Sequence, residues 1–270
     1  MDKYAKKQFK IALVYLLIAI IVVGGIYLIV KSTLPSCSDG IQNQDELGVD
    51  CGGPCEKCPE QLQKDLEVIF TEPIATKDNY VDVVAKVRNP NRDFGAKEFT
   101  YVFNLFDSND NLVASRNGSS YMMPQETRYI IEQRILASSS VSRSELKINT
   151  TNWQQLVGYP EPELLIRNSN LKQSDNESQF TATLDNRSSY GFKDIDVWVV
   201  LLGKNSKILG AGKSELNTVL SRENRYFEIS WFFPLADKVE NFDIVATTNV
   251  FLDDNFMKAY NEEREKFQEY

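Results

Sequence analysis

Hydrophobic and polar positions follow two patterns, a continuous apolar run near the N-terminus and a two-residue alternation after it. The run covers residues 11–30, IALVYLLIAIIVVGGIYLIV, and contains no charge. A helix of that length is about 30 Å long at 1.5 Å per residue, which matches the hydrocarbon core of a bilayer. The run therefore predicts a transmembrane helix over residues 11–30, with membrane lipid as its partner.

The residues around the run predict its orientation. Lysines outnumber acids in residues 1–10, which favours a cytoplasmic tail and an external C-terminus, as in a single-pass protein of the cell membrane. A buried soluble helix would show a polar stripe. A cleaved signal peptide has a shorter apolar region and a small-residue cleavage site. Lipidation of Cys37, within Leu34-Pro35-Ser36-Cys37, remains an alternative.

The alternation after residue 61 is typical of strands with one buried face. Val81, Val83, Ala85 and Val87 alternate with polar residues, and three further sets of apolar residues repeat this spacing. These sets are Phe99, Tyr101, Phe103 and Leu105; Phe180, Ala182 and Leu184; and Ile195, Val197, Val199 and Leu201. Polar turns close the strands at 107–111 and 203–206, which favours antiparallel β-sandwiches of the seven-stranded type.

The alternating region also repeats itself at an offset of about 97 residues. The repeated segments are Ala85–Asn89 with Ala182–Asn186, Phe94-Gly95 with Tyr190-Gly191, Glu126–Tyr129 with Glu223–Tyr226, and Thr150–Asn152 with Thr247–Asn249. Similar motifs in the same order predict two copies of one unit.

The predicted fold is a transmembrane α-helix followed by an all-β ectodomain of two tandem Ig-like sandwiches and a short C-terminal helix. The predicted segments are a tail (1–10), the transmembrane helix (11–30), a cysteine module (31–61), sandwich one (62–158), sandwich two (159–252) and a helix (253–270).

Each copy resembles the FxLYD and late-embryogenesis type 2 group of immunoglobulin-like sandwiches. The resemblance rests on RNPN at Arg88–Asn91 and on FNLFD at Phe103–Asp107, whereas the second copy has Asp185–Ser188 in place of RNPN. It implies an adhesive or scaffold unit without enzymatic activity, although a fold alone does not establish a function.

All four cysteines lie between residues 37 and 58, at Cys37, Cys51, Cys55 and Cys58. A segment this short cannot bury a core, and outside the cytoplasm two disulfides are the expected crosslinks. Three pairings are possible. Zinc held by four thiolates and a redox role for Cys55-Glu-Lys-Cys58 are the alternatives; the latter needs a thioredoxin-like βαβ frame, and no such pattern follows.

The same segment is rich in acids and amides. Asp39-Gly40, Asn43 and Glu46 match the second half of an EF-hand-type loop, and Asp45 and Asp50 could supply the missing ligands, which makes calcium a candidate cofactor. Alternatively, these side chains cap turns. The segment resembles a short module of bacterial surface proteins, C-x-D-G-x-x-N-x-x-E-x-G-x-D-C-G-G-x-C-x-x-C. That resemblance implies an exported, disulfide-bearing stalk and no activity.

One predicted strand has apolar residues on both faces. If Val197, Val199 and Leu201 face the core, then Trp198, Val200 and Leu202 face outward and form a candidate interface. We expect either a partner protein or the helix at 253–270 to cover this face.

Composition limits the possible functions. The chain carries a net charge of −8, and such an acidic protein is poorly suited to bind nucleic acid. Histidine is absent, which excludes Ser-His and Cys-His hydrolases and histidine-ligated zinc, and no catalytic residues can be identified.

The sequence therefore predicts a non-enzymatic, membrane-anchored binding or scaffold protein of the cell envelope, whose partners are other envelope or surface proteins. A subunit of a membrane-embedded secretion or pilus-type complex is the alternative. A carboxylate-based extracellular hydrolase is a third.

Overall fold

The computed structural model describes residues 3–33, 37–42, 45–58 and 63–268. The chain divides into two compact units, Met1–Gln63 and Lys64–Tyr270. The first unit contains helix α1 (Lys3–Thr33) and the cysteine-rich segment. The second unit contains the twelve strands found among the described residues and helix α2 (Asp254–Gln268).

The structure of helix α1 does not support the predicted transmembrane helix. In the part of the chain that the structure describes, no helix is both long enough and apolar enough to cross a membrane. The predicted transmembrane helix at 11–30 and the predicted single-pass localisation are therefore wrong.

Two antiparallel sandwiches make up the second unit, as the alternation predicted. The first contains β1 (Glu67–Ala75), β2 (Tyr80–Arg88), β3 (Phe94–Phe106), β4 (Leu112–Met122), β5 (Thr127–Leu136) and β6 (Arg143–Gln155). The second contains β7 (Leu164–Gln173), β8 (Ser178–Asn186), β9 (Phe192–Leu202), β10 (Ile208–Val219), β11 (Asn224–Trp231) and β12 (Asn241–Thr247). Short 3₁₀ turns follow at Lys204–Ser206 and Val250–Leu252.

Each sandwich has two sheets of three strands in the same order. The sheets are β1-β2-β5 and β4-β3-β6 in the first copy, and β7-β8-β11 and β10-β9-β12 in the second. The described strands number six per copy rather than the predicted seven, because only residues 137–142 connect β5 to β6 and they contain no strand.

The predicted core positions lie between the sheets. Val83, Ala85 and Val87 of β2 pack with Phe99 and Phe103 of β3 in the first core. In the second copy, Phe180, Ala182 and Leu184 of β8 pack with the odd-numbered apolar residues of β9 from Ile195 to Leu201. The two-residue period therefore identified the inward face of these strands correctly.

The internal duplication is preserved in the hydrogen bonds. A buried asparagine lies directly after β2 in the first copy and at the end of β8 in the second, and in each copy its side-chain amide donates to two backbone carbonyls from separate segments. Asn89 donates to the carbonyls of Phe94 and Met123 at 2.7 and 2.8 Å; Asn186 donates to those of Tyr190 and Leu220 at 2.9 Å each. The loss of either asparagine would leave buried carbonyl groups unsatisfied.

Candidate functional site

The outward face of β9 is buried although it points away from the core of its own sandwich. Trp198 and Val200 are 3% and 0% exposed, and Leu202 is half-buried. They belong to one hydrophobic cluster with Val84, Tyr129 and other residues of the first sandwich. The Trp198 ring contacts Arg128 of β5, and Asp196 on the same face of β9 accepts a hydrogen bond from Tyr121 of β4, so the first sandwich covers the Trp198 face.

Helix α2 packs against a different part of the second sandwich. Phe256 is buried, and its ring lies 5.2 Å from the ring of Tyr190 and 6.4 Å from that of Phe192. Asp253 caps the helix, because its Oδ1 accepts a hydrogen bond from the backbone N–H of Phe256 at 3.1 Å. The Tyr260 hydroxyl donates to the Val157 carbonyl at 2.9 Å. The helix thus closes the second sandwich near the start of β9, where Phe192 lies.

Arg128 is the central residue of the contact between the sandwiches. Its side chain is 0% exposed, and its guanidinium carbon lies 4.3 Å from the ring centroids of both Tyr121 and Trp198. Nη2 donates to the Ser120 hydroxyl at 3.0 Å, and Nε lies 3.6 Å from a Glu126 carboxylate oxygen. Because a guanidinium stacks on aromatic faces without losing its charge, it suits a site between two rings.

Hydrogen bonds around Arg128 cross from one sandwich to the other. The Tyr121 hydroxyl donates to Asp196 at 3.0 Å, and the Tyr129 hydroxyl donates to Asp243 at 2.6 Å. Lys86 lies 3.6 Å from the same Asp243 carboxylate. The donors and cations belong to the first sandwich and the acids to the second, so the two surfaces are complementary in charge.

Burial alters the ionisation of these groups. Burial raises the pKa of Tyr121 well above its ordinary value, and burial with the hydrogen bond to Asp243 raises that of Tyr129. The pKa of Glu126 is also raised by burial, although the Arg128 charge opposes the shift. Both tyrosines therefore lose their protons less readily in the folded chain than in the unfolded chain.

We expect the stability of the second unit to fall as the pH rises above about 10, where unfolded tyrosines ionise. The raised pKa values of Tyr121 and Tyr129 mean that the unfolded chain loses these protons first, at a cost of at most about 1.4 kcal/mol per pH unit for each tyrosine. Urea unfolding between pH 8 and pH 11 measures the slope, and Tyr121→Phe should reduce it. A slope unchanged in Tyr121→Phe would contradict the role of Tyr121.

The sequence indicates one side of this interface but not the other. Trp198, Val200 and Leu202 were identified because they are apolar and face outward. In the sequence Arg128 stands out only as part of a repeated motif, and its counterpart Arg225 in the second copy is partly exposed. The residue that could have indicated the other side of the interface from the sequence is Tyr129, an aromatic residue on an outward face of the first copy.

The cysteine-rich segment contains the two predicted disulfides. Cys37 is bonded to Cys55, with 5.6 Å between their Cα atoms, and Cys51 is bonded to Cys58, with 4.8 Å. No free cysteine remains in the chain. All four sulfur atoms are therefore in disulfides and are not available as thiolate ligands for zinc.

The acidic residues of this segment hold its turns. The Asp50 carboxylate accepts hydrogen bonds from the backbone N–H groups of Asp39 and Gly40, at 2.8 and 2.9 Å. Glu46 accepts the N–H of Asp50 at 3.2 Å, and Asp39 accepts that of Ile41 at 2.9 Å. These contacts favour the turn-capping interpretation of the acids.

Calcium binding by Asp39, Asn43, Asp45, Glu46 and Asp50 stays a prediction. Asn43 lies outside the described residues. Within the described part of the chain, the group of three potential ligands that converges to within 4.8 Å is Cys37, Glu46 and Cys55, and both of its sulfurs are already in a disulfide.

Comparison with known proteins gives no family for this chain. No protein-family model matches it, and no curated protein matches it. Among solved structures, red sea bream transglutaminase is 12% identical over 68% of this chain and 31% of its own, with a TM-score of 0.24. This chain thus spans about a third of the transglutaminase.

Two further structures show similarly distant matches. The collagen adhesin from S. aureus is 10% identical over 68% of this chain and 94% of its own, with a TM-score of 0.16. The N-terminal CBM22-1-CBM22-2 tandem domain from Paenibacillus barcinonensis Xyn10C is 8% identical over 72% of this chain and 88% of its own, with a TM-score of 0.13. TM-scores this low support no argument about function.

Proposed function

We propose that this chain is a non-enzymatic binding or scaffold protein that works in an oxidising, extracytoplasmic compartment and whose two sandwiches act as one rigid body. The observation that carries the proposal is the buried Arg128 side chain between Tyr121 and Trp198. Two domains that move independently usually meet through a small, polar contact. Here a hydrophobic cluster continues from one sandwich into the other.

The cysteine-rich segment supports the compartment. Two disulfides within residues 37–58 are typical of proteins outside the reducing cytoplasm. The absence of histidine from the chain removes the commonest general base, which favours binding over catalysis. The resemblance to adhesive sandwiches and to an exported cysteine module supports the same function.

Rigidity can be tested with spin labels on cysteines introduced at exposed positions of the two sandwiches. We choose Lys147 of β6 and Lys172 of β7, since both are exposed. Because the interface is buried and charge-complementary, the label-to-label distances measured by pulsed electron resonance should form one narrow distribution. The same labels in Trp198→Ala should give a broader one. A broad distribution in the parent protein would contradict the proposal.

A further inference from the structure

A second feature of the contact between the sandwiches is an open cleft of about 420 Å³. It is lined by the β1–β2 turn and the start of β2, by part of β5, and by the end of β11. This volume is within the usual range for small-ligand sites. Since each sandwich supplies only part of the wall, the cleft exists only while the two are in contact.

One wall of the cleft is aromatic. Tyr80 comes from the first sandwich, and Trp231, Phe232 and Phe233 come from the second. Trp231 and Phe233 are buried and form the base of this wall, and the Trp231 indole N–H donates to the Ala211 carbonyl at 3.0 Å. Phe232 is 73% exposed, the highest value for a large apolar side chain among the described residues. An exposed ring at the rim of a cleft offers a flat apolar surface to a ligand.

The opposite wall is formed by an irregularity in β5. The pairing of β2 with β5 shifts between Val81 and Val83, so that Gln133 and Arg134 lie opposite Asp82. Arg134 has a φ of +55°, an unfavourable value for a residue with a side chain. Asp82 is buried and accepts the backbone N–H of Arg134 at 2.8 Å, which holds this conformation. Bulges of this kind re-aim a side chain, and strain of this kind is common at functional sites.

The charged groups of the cleft differ in whether other groups of the protein already bind them. Burial raises the pKa of the Asp82 carboxylate, although hydrogen bonds from the Arg134 N–H and the Gln133 side chain and the charge of Arg134 oppose the shift. Asp78 lies on the exposed turn. Lys77 and Arg134 take part in none of the ion pairs formed among the described residues. The Arg134 guanidinium lies 5.8 Å from the centroid of the Tyr80 ring. Two exposed cations thus border an aromatic wall in an otherwise acidic protein.

The hydroxyl groups of the cleft are also engaged. Thr76 donates to the Tyr80 carbonyl at 2.7 Å, and Ser230 donates to Glu228 at 3.3 Å. The donors best placed for a ligand are therefore the Arg134 guanidinium and the Lys77 ammonium. A guanidinium binds carboxylates through paired hydrogen bonds, and a flat ring packs on an aromatic side chain.

We infer that this cleft binds a carboxylate attached to a ring with a flat apolar face. The carboxylate pairs with Arg134 and Lys77, and the ring packs against Phe232 and Tyr80. An aromatic acid and a uronate sugar of an acidic glycan share this chemistry. This inference adds a ligand to the proposed function. It rests on that function, because the cleft forms only when the two sandwiches are in contact.

The test is titration calorimetry on the whole chain with two probes, 2-naphthoate and trigalacturonate. Their uncharged counterparts, 2-naphthamide and the methyl ester of trigalacturonate, serve as ligand controls. We expect one of the two acids to bind with a Kd of about 1 mM or tighter, and its uncharged form to bind at least about tenfold more weakly. The probe that binds identifies the source of the carboxylate.

Protein variants then locate the site. Arg134→Gln keeps the backbone N–H that Asp82 accepts, and should weaken binding about tenfold or more. Phe232→Ser should weaken it about fivefold or more. Arg116→Gln makes the same change as Arg134→Gln, and Leu220→Ser likewise replaces an exposed apolar side chain by serine; both positions are exposed and outside the cleft, and both variants should leave the Kd unchanged.

Two results would overturn the inference: neither acid saturates the parent protein at about 10 mM, or Arg134→Gln binds as tightly as the parent. Neither result would affect the proposed function, because the spin-label distances measure the contact between the sandwiches without a ligand. A broad distance distribution in the parent would instead contradict the proposed function directly.

Discussion

Replacing Arg128 by alanine is expected to lower the free energy of unfolding of the second unit by about 3–5 kcal/mol. The substitution leaves the buried Glu126 carboxylate without its cation and removes the side chain that fills the space between Tyr121 and Trp198. An unpaired buried charge and a cavity both destabilise the folded state. Urea unfolding monitored by tryptophan fluorescence measures the effect.

The duplicated sequence supplies a matched control for this experiment. Arg225 occupies the equivalent position in the second copy and pairs with Glu223 at 2.6 Å, but more than a third of its side chain is exposed. Arg225→Ala should therefore cost only about 1 kcal/mol or less, because exposed ion pairs contribute little. Equal losses in the two variants would show that Arg128 has no special role between the sandwiches.

Removing the Cys37–Cys55 disulfide is expected to unfold the cysteine-rich segment. The bond joins residues 18 positions apart, and closing a loop of that size contributes about 3 kcal/mol. A segment this small has no hydrophobic core large enough to compensate for the loss. In the double variant Cys37→Ser, Cys55→Ser, backbone amide exchange over residues 37–58 should approach the rate of an unfolded chain.

The second disulfide provides the comparison. Cys51 and Cys58 are 7 positions apart, so their removal should cost about 2.4 kcal/mol on the same loop-closure scale. The sandwiches should unfold at the same urea concentration in both double variants, because Lys64–Tyr270 is a separate compact unit. Slow amide exchange in the segment after loss of Cys37–Cys55 would contradict the prediction.

The sequence predicted the features of this protein that depend on residues close together in the chain. The two-residue period identified the inward residues of β2, β3, β8 and β9, since alternate side chains of a strand point to opposite faces. The repeated motifs located equivalent positions, and Asn89 and Asn186 make equivalent hydrogen bonds. Clustered cysteines predicted two disulfides, although the pairing was open because it depends on how the turns fold.

Two other sequence patterns, the apolar run and the acidic residues of the cysteine-rich segment, did not determine the structure or ligand that they suggested. The apolar run at 11–30 lies within α1, but in the described part of the chain no helix meets the requirements for crossing a membrane. The acids of the cysteine-rich segment have the composition of a calcium loop, yet Asp50 and Glu46 accept backbone N–H groups. Composition alone does not distinguish a carboxylate that binds a cation from one that holds a turn.

Only the tertiary structure decided what covers Trp198. The sequence shows that Trp198 and Val200 lie on one outward face, because the period of a strand fixes the side to which a residue points. It does not show which surface meets that face, since the contact comes from Arg128, seventy residues earlier in the chain. Long-range contacts of this kind depend on how whole sheets pack.

The same packing explains why equivalent residues of the two copies differ in role. Tyr129 is buried between the sandwiches, whereas its counterpart Tyr226 is 60% exposed. Val84 of β2 and Ile131 of β5, which belong to the hydrophobic cluster shared by the two sandwiches, correspond to Thr181 and Glu228 in the second copy. The sequence by itself determined two similar sandwiches, because strand patterns are local. The tertiary structure decided that one face of each is buried against the other, because burial depends on the surface that a face meets.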